Sequence, residues 1–77
     1  MEVHITLHGL LRDYLPRQAK GKTILSLPEG ATIETVMQQL KIKHSVVSAA
    51  VAGVQVETDY VLQNGDDLHV FHPIGGG

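Results

Sequence analysis

Val3, Ile5 and Leu7 alternate with His4, Thr6 and His8, the two-residue period of a half-buried strand over residues 2–8. Gly9 and the polar Arg12-Asp13 interrupt that period. Leu10, Leu11, Tyr14 and Leu15 make one apolar face of a short helical turn before Pro16, and predict a cover over one end of the core. Residues 17–21 read as a loop. A second strand is predicted over residues 22–27, with Thr23, Leu25 and Leu27 on one parity, and Pro28-Glu29-Gly30 ends it. The two strands are placed to pair as a hairpin across a long connection.

Ile33, Val36, Met37 and Leu40 stand at i, i+3, i+4 and i+7 and draw one apolar stripe of a helix about ten residues long. Thr32 is suited to the N-cap, because its hydroxyl accepts an orphan backbone N–H. Glu34 suits the positive end of the helix dipole, and Lys41 and Lys43 its negative end. With threonine rather than Glu or Gln at position 35, no full capping box is expected. A helix this short does not stand alone, so its stripe must be buried on a sheet.

Val46 to Ala52 is a small-residue apolar run. Ala52-Gly53 reads as a tight turn, after which Val54-Gln55-Val56-Glu57 alternates again. Asn64-Gly65 is a turn signal, since both residues tolerate positive φ. Leu68 to His72 form a last strand that Pro73 stops. The order is strand, strand, helix, strand, short strand, strand, which predicts a two-layer α+β domain with a small mixed sheet on one helix. The expectation is a single domain over residues 1–77, with 73–77 as an extended tail.

The chain has 77 residues, 43% of them apolar, enough for one modest core and too apolar for a disordered segment. It has no cysteine, which removes disulfides, a thiol nucleophile and thiolate metal sites. No run of 18 apolar residues exists, and the start lacks a basic leader with an apolar signal core, so a cytoplasmic, non-membrane protein is expected. Net charge is −2, unevenly spread: residues 1–43 carry net +2 and residues 44–77 net −4. An acidic second half argues against binding nucleic acid there and suits a partner with a basic docking surface.

The end of the chain is the most informative segment. Gly75, Gly76 and Gly77 have no side chain to bury and maximal backbone entropy to lose, so they add little to folding. Residues 73–77 span about 17 Å when extended. Pro73 stiffens the exit, and the rest can thread a channel that a side chain would block. The carboxylate of Gly77 is the one group there with useful chemistry, and ATP-driven conversion to an acyl-adenylate would make it reactive. The chain has no Gly-rich loop followed by Lys and Ser/Thr, so nucleotide handling belongs to a partner. The alternative is that terminal glycines are a frayed end or a remnant.

Taken together, these segments resemble the ubiquitin-like β-grasp sulfur carriers, among them the small subunit of molybdopterin synthase. The resemblance rests on Leu7-His8-Gly9-Leu10-Leu11-Arg12-Asp13, on Leu27-Pro28-Glu29-Gly30-Ala31-Thr32-Ile33, on Val51-Ala52-Gly53-Val54, on Leu62 to Leu68, and on the ending Phe71-His72-Pro73-Ile74-Gly75-Gly76-Gly77. Four positions depart from the family pattern: Ala52 replaces asparagine, Asp67 stands in the place of glutamate, His72 replaces proline, and Gly75 replaces a small residue such as alanine. The resemblance implies a β-grasp fold and a carrier without activity of its own. An adenylating (E1-like) enzyme would use ATP and magnesium to adenylate Gly77, and a sulfur donor enzyme would supply the sulfur of a thiocarboxylate. The tail would then enter the large catalytic subunit of the synthase and give sulfur to the dithiolene of molybdopterin, in its molybdenum or tungsten form. Gly75 and Gly76 would give clearance, and no cofactor or metal would be held by the chain itself. Alternatives are delivery to thiamine thiazole, a sulfur amino acid or tRNA, conjugation of Gly77 to lysine as a protein modifier, or a binding module with an inert tail. The long connection from Gly9 to Gly21 favours the molybdopterin type over the shorter thiamine carriers.

With Val3, Ile5 and Leu7 facing the helix, His4, Thr6 and His8 face away, as do His69 and Phe71 of the last strand. First and last strands are neighbours in the β-grasp, which places His8 and Phe71 on one patch at the base of the tail, with Pro73 and Ile74 following. That patch is the expected partner-binding surface, the alternative being that Phe71 is a core residue at a strand end. Arg12 is a further candidate for partner contact, or simply solvated. His4, His8 and His69 share a face without an evident Asp or Glu beside them, so half-exposed sheet positions with some pH sensitivity of docking are expected rather than a metal site.

Overall fold

The computed structural model describes residues 1–42 and 47–72. Strands β1 (Glu2–Leu7), β2 (Lys22–Ser26), β3 (Ser48–Val51), β4 (Val54–Val56) and β5 (Asp67–Phe71) accompany one α-helix, α1 (Ile33–Gln39). The sheet order is β2-β1-β5-β3-β4. β1 and β5 run parallel at the centre, and the other neighbours pair antiparallel. This is the α+β arrangement expected, a mixed sheet on a single main helix.

The two-residue period of each strand sorts the faces. Val3, Ile5 and Leu7 of β1, Ala49 and Val51 of β3, and Leu68 and Val70 of β5 are buried against Ile33, Val36 and Met37 of α1. Leu11, Leu27, Ile42 and Leu62 close the margins of the same core. Residue 9–14 backbone winds as a 3-10 helix, in which i and i+3 eclipse. Leu11 and Tyr14 therefore face the core together, and Leu10 is left 80% exposed. The expected apolar cover is thus Leu11, Tyr14 and Leu15, without Leu10.

α1 differs from expectation at both ends. At its start a capping box is present: Thr35 N donates to Thr32 Oγ1 at 3.4 Å, and Thr32 N donates to Thr35 Oγ1 at 3.1 Å. A threonine hydroxyl three residues on does the work usually given to Glu or Gln. At its end the helix stops after seven residues, because Lys41 takes the left-handed conformation (φ 60°). Lys41 N donates to Gln38 O and Ile42 N to Met37 O at 2.9 Å, the two bonds of a Schellman motif, with Ile42 buried behind it. Lys41 is therefore the closing residue of the helix rather than a dipole partner. Lys43 and Val46 lie outside the described residues.

The Asn64-Gly65 turn is fastened to β1: Asn64 Oδ1 accepts from Glu2 N at 2.9 Å, and Gly65 N donates to Glu2 O at 2.7 Å. These bonds set β5 on its way alongside β1. Ala52 (φ 52°) and Gly53 (φ 82°) form the two-residue turn between β3 and β4, a type I′ geometry that requires positive φ at both positions.

Candidate functional site at the base of the tail

Because β1 and β5 are parallel neighbours, both end at the same margin of the sheet. β1 runs on into His8, whose N–H donates to Val70 O at 3.0 Å, and β5 ends at Phe71, from which the tail departs. On the face away from α1, Thr6 is in register with His69 and Lys22, and His4 with Asp67 and Ile24. β3 contributes Ser48 opposite Phe71 and Ala50 opposite His69.

Three of these side chains interlock. His8 Nε2 lies 2.9 Å from His69 Nδ1, with ring centroids 5.1 Å apart and planes inclined by 22°. Phe71 meets the His8 ring edge-on at 6.1 Å. On the other side of His69, its Nε2 is 3.4 Å from Asp67 Oδ2. An acid therefore does stand beside the histidines, contrary to expectation. It was legible: Asp67, His69 and Phe71 are spaced by two on one strand and must share a face. His8, Asp67, His69 and Phe71 form one wall of a groove of about 550 Å³ floored by Ala50, Ala52 and Gly53. Those small residues were not singled out from sequence, since their effect comes from lying beside large neighbours on an adjacent strand.

The structure thus joins His8 to Phe71 as expected and leaves Phe71 half-buried on the outer face, not in the core. Arg12 lies elsewhere. Its stem crosses Gly21, and it lines a separate groove with Arg17 and Lys20. Asp66 acts as a turn residue, its carboxylate accepting from Gln63 N at 2.8 Å. Pro73, Ile74, Gly75, Gly76 and Gly77 lie outside the described residues. Among the described residues no cluster of three or more His, Cys, Asp or Glu side chains is gathered as metal ligands. No helix there is long and apolar enough to cross a membrane.

A five-stranded mixed sheet in the order β2-β1-β5-β3-β4, packed on a single main helix, defines a ubiquitin-like β-grasp protein. The chain belongs to the ThiS family, whose profile matches residues 9–77, and so to the β-grasp sulfur carriers. It is similar in fold to a protein from Pyrococcus furiosus described as molybdopterin converting factor, subunit 1 (TM-score 0.73, 24% identity, 95% of this chain and 98% of that one). It is similar to small archaeal modifier protein 1 from Haloferax volcanii (TM-score 0.75, 12% identity, 95% and 98% covered). A third likeness is to a chain in the complex of subunits 1 and 2 of molybdopterin-converting factor from Helicobacter pylori (TM-score 0.65, 17% identity, both chains fully covered). No curated protein matches the sequence significantly.

Proposed function

We propose that the chain delivers sulfur on its own C-terminal carbonyl to the precursor of molybdopterin. The single observation carrying this reading is that the family match, over residues 9–77, takes in Gly75-Gly76-Gly77. In the proposed cycle an oxygen of the Gly77 carboxylate attacks the α-phosphorus of ATP and pyrophosphate leaves. The outer sulfur of a persulfide on a donor enzyme then displaces AMP to give an acyl disulfide. A second thiol of that enzyme attacks the inner sulfur, forming an enzyme disulfide and releasing the thiocarboxylate. The chain's part is to present that carbonyl on a thread without side chains, while the groove beside His8, His69 and Phe71 holds the partner. Nucleotide and magnesium are handled by the adenylating partner. The recipient is the finer part of the proposal. It is supported by the likenesses to molybdopterin-converting factor subunits and by the long connection between β1 and β2.

The test is reconstitution with the adenylating enzyme encoded in the same genome, a sulfur donor and ATP, read by intact mass. The expected product carries one sulfur in place of one oxygen at the terminus, and protein ending at Gly76 gains nothing. Sulfur delivered instead to a thiazole precursor, an amino acid precursor or tRNA would replace the recipient. Isopeptide adducts on lysines would replace the carrier reading by that of a modifier.

A further inference from the structure

The outer-face histidines carry an inference that rests on the carrier reading but concerns how the partner is recognised. Two ring nitrogens 2.9 Å apart, His8 Nε2 and His69 Nδ1, need one proton between them. Which ring supplies it follows from Asp67. A carboxylate oxygen 3.4 Å from His69 Nε2 favours the N–H on that nitrogen, because a lone pair there would face negative charge. His69 Nδ1 is then the acceptor and His8 Nε2–H the donor. His8 Nδ1 is left with a lone pair and no hydrogen-bond partner among the described residues. The chain of bonds has a direction, from Asp67 through His69 to His8, and ends in an acceptor at the margin where the tail departs.

The surroundings select what that acceptor receives. The groove is lined by His8, His69, Phe71 and the small Ala50, Ala52 and Gly53, and its one fixed charge is the Asp67 carboxylate. Of the charged groups on the same face, His4 and Glu2 lie on β1 and Lys22 on the far strand β2. β3 and β4 bring Ser48, Ala50 and Gln55, which carry no charge. His72 follows Phe71 directly, and Arg12 and Asp13 sit on the 3-10 turn after His8. Residues 44–77 hold four acids and no Lys or Arg. A planar cation that stacks on an aromatic ring, donates several hydrogen bonds and pairs with a carboxylate answers all of these features.

We propose that the groove is the receptor for an arginine side chain of the adenylating enzyme, with His8 Nδ1, the Asp67 carboxylate and the Phe71 ring as its recognition elements, and that protonation of His8 closes it. A proton added at His8 Nδ1 leaves the His8–His69 bond intact but turns the acceptor into a donor and cancels the charge of Asp67. A further proton at His69 Nδ1 would set two N–H groups head to head and force the rings apart. Docking is therefore strong where both imidazoles are neutral and weaker once His8 carries a second proton.

The experiment has two arms. In the isolated, nitrogen-15-labelled chain, a scalar coupling across the hydrogen bond between His8 Nε2 and His69 Nδ1 is expected above neutral pH, with His8 Nδ1 unprotonated. No coupling, or a proton on His8 Nδ1, overturns the bond chain whatever the protein does. In the reconstituted adenylation assay, Asp67→Asn is expected to raise KM for the carrier about tenfold with kcat kept, the scale of one charge-assisted bond. Lowering pH should raise KM of the wild type relative to His8→Gln, which keeps an acceptor that does not titrate. Unchanged KM in Asp67→Asn, or pH profiles that run parallel, would overturn the arginine receptor while leaving the carrier function standing. Absence of any adenylation would remove the carrier reading and this inference with it.

Discussion

Gly21 offers a quantitative test of how β1 and β2 are held together. It has φ 80° and is buried just before β2, where its carbonyl accepts from Leu7 N at 2.6 Å. A Cβ built there would stand 2.6 Å from Leu7 O, 2.9 Å from Arg12 Cγ and 3.2 Å from Arg12 Nε. Gly30 has nearly the same backbone, φ 88°, yet a Cβ there meets nothing within 4 Å. Both Gly→Ala changes carry left-handed strain of about 1–2 kcal/mol, partly offset by about 0.4–1 kcal/mol from the stiffer unfolded chain. Gly21→Ala adds the displacement of backbone against backbone, about 1–3 kcal/mol. The expected losses are about 1 kcal/mol for Gly30→Ala and about 3 kcal/mol for Gly21→Ala, out of about 4–12 kcal/mol for a chain of this length. Urea unfolding followed by far-UV circular dichroism reads the difference, which at an m of about 1 kcal/mol/M separates the midpoints by about 2 M. Adding Arg12→Ala should recover only a fraction, since Leu7 O is the nearer obstacle and cannot move without its strand. Equal midpoints for the two alanine variants would refute the reasoning.

Ala52→Asn should raise stability by about 0.5–1 kcal/mol in the same assay, because asparagine tolerates the left-handed φ of 52° that alanine resists. Thr32→Ala should lower it by about 1 kcal/mol through loss of the N-cap, and Thr35→Ala by less, since it leaves the Thr32 hydroxyl in place. Ala50→Val should stabilise the fold by up to about 1 kcal/mol through strand propensity. The same change should raise KM for adenylation by filling the groove floor opposite His69.

The strands and their inward parity could be read from spacing alone, because Val3-Ile5-Leu7 and Leu68-Val70 obey a period that only one face can satisfy. The meeting of His8 with Phe71 followed from the family resemblance, which supplied the β1–β5 neighbourhood that no local pattern encodes. Three features escaped for separate physical reasons. An α-like period puts Leu10 with the core, but the segment winds three residues per turn and turns Leu10 outward. The capping box is not visible from residue type, because its requirement is an acceptor oxygen at the right distance, which the Thr35 hydroxyl supplies. The apolar stripe from Ile33 to Leu40 does not show where the helix ends, because nothing in a lysine announces the left-handed φ of Lys41. That conformation is imposed by the Schellman bonds and by burial of Ile42, both tertiary. The groove was invisible for a related reason: a concavity is a relation between strands.

The distribution of residue types differs sharply between the two faces of the sheet. On the inner face β1, β3 and β5 carry Val, Ile, Leu and one Ala, all nearly solvent-free. On the outer face the positions opposite His69 and Phe71 are Ala50 and Ser48, poor strand formers that leave space where Val or Thr would give stability. The turn beside them keeps alanine at a left-handed position. Local rules are broken three times in five residues, at Ala50 and Ala52 in the groove and at Ser48 two residues along β3, while the inner face departs once, at the buried Ala49. That pattern is expected when a surface is shaped for an occupant rather than for its own strand. On the proposed carrier reading the work of the protein sits outside its core, and the folded part has only to hold β1 and β5 parallel so that Phe71, the last residue of β5, stands beside His8 and the groove.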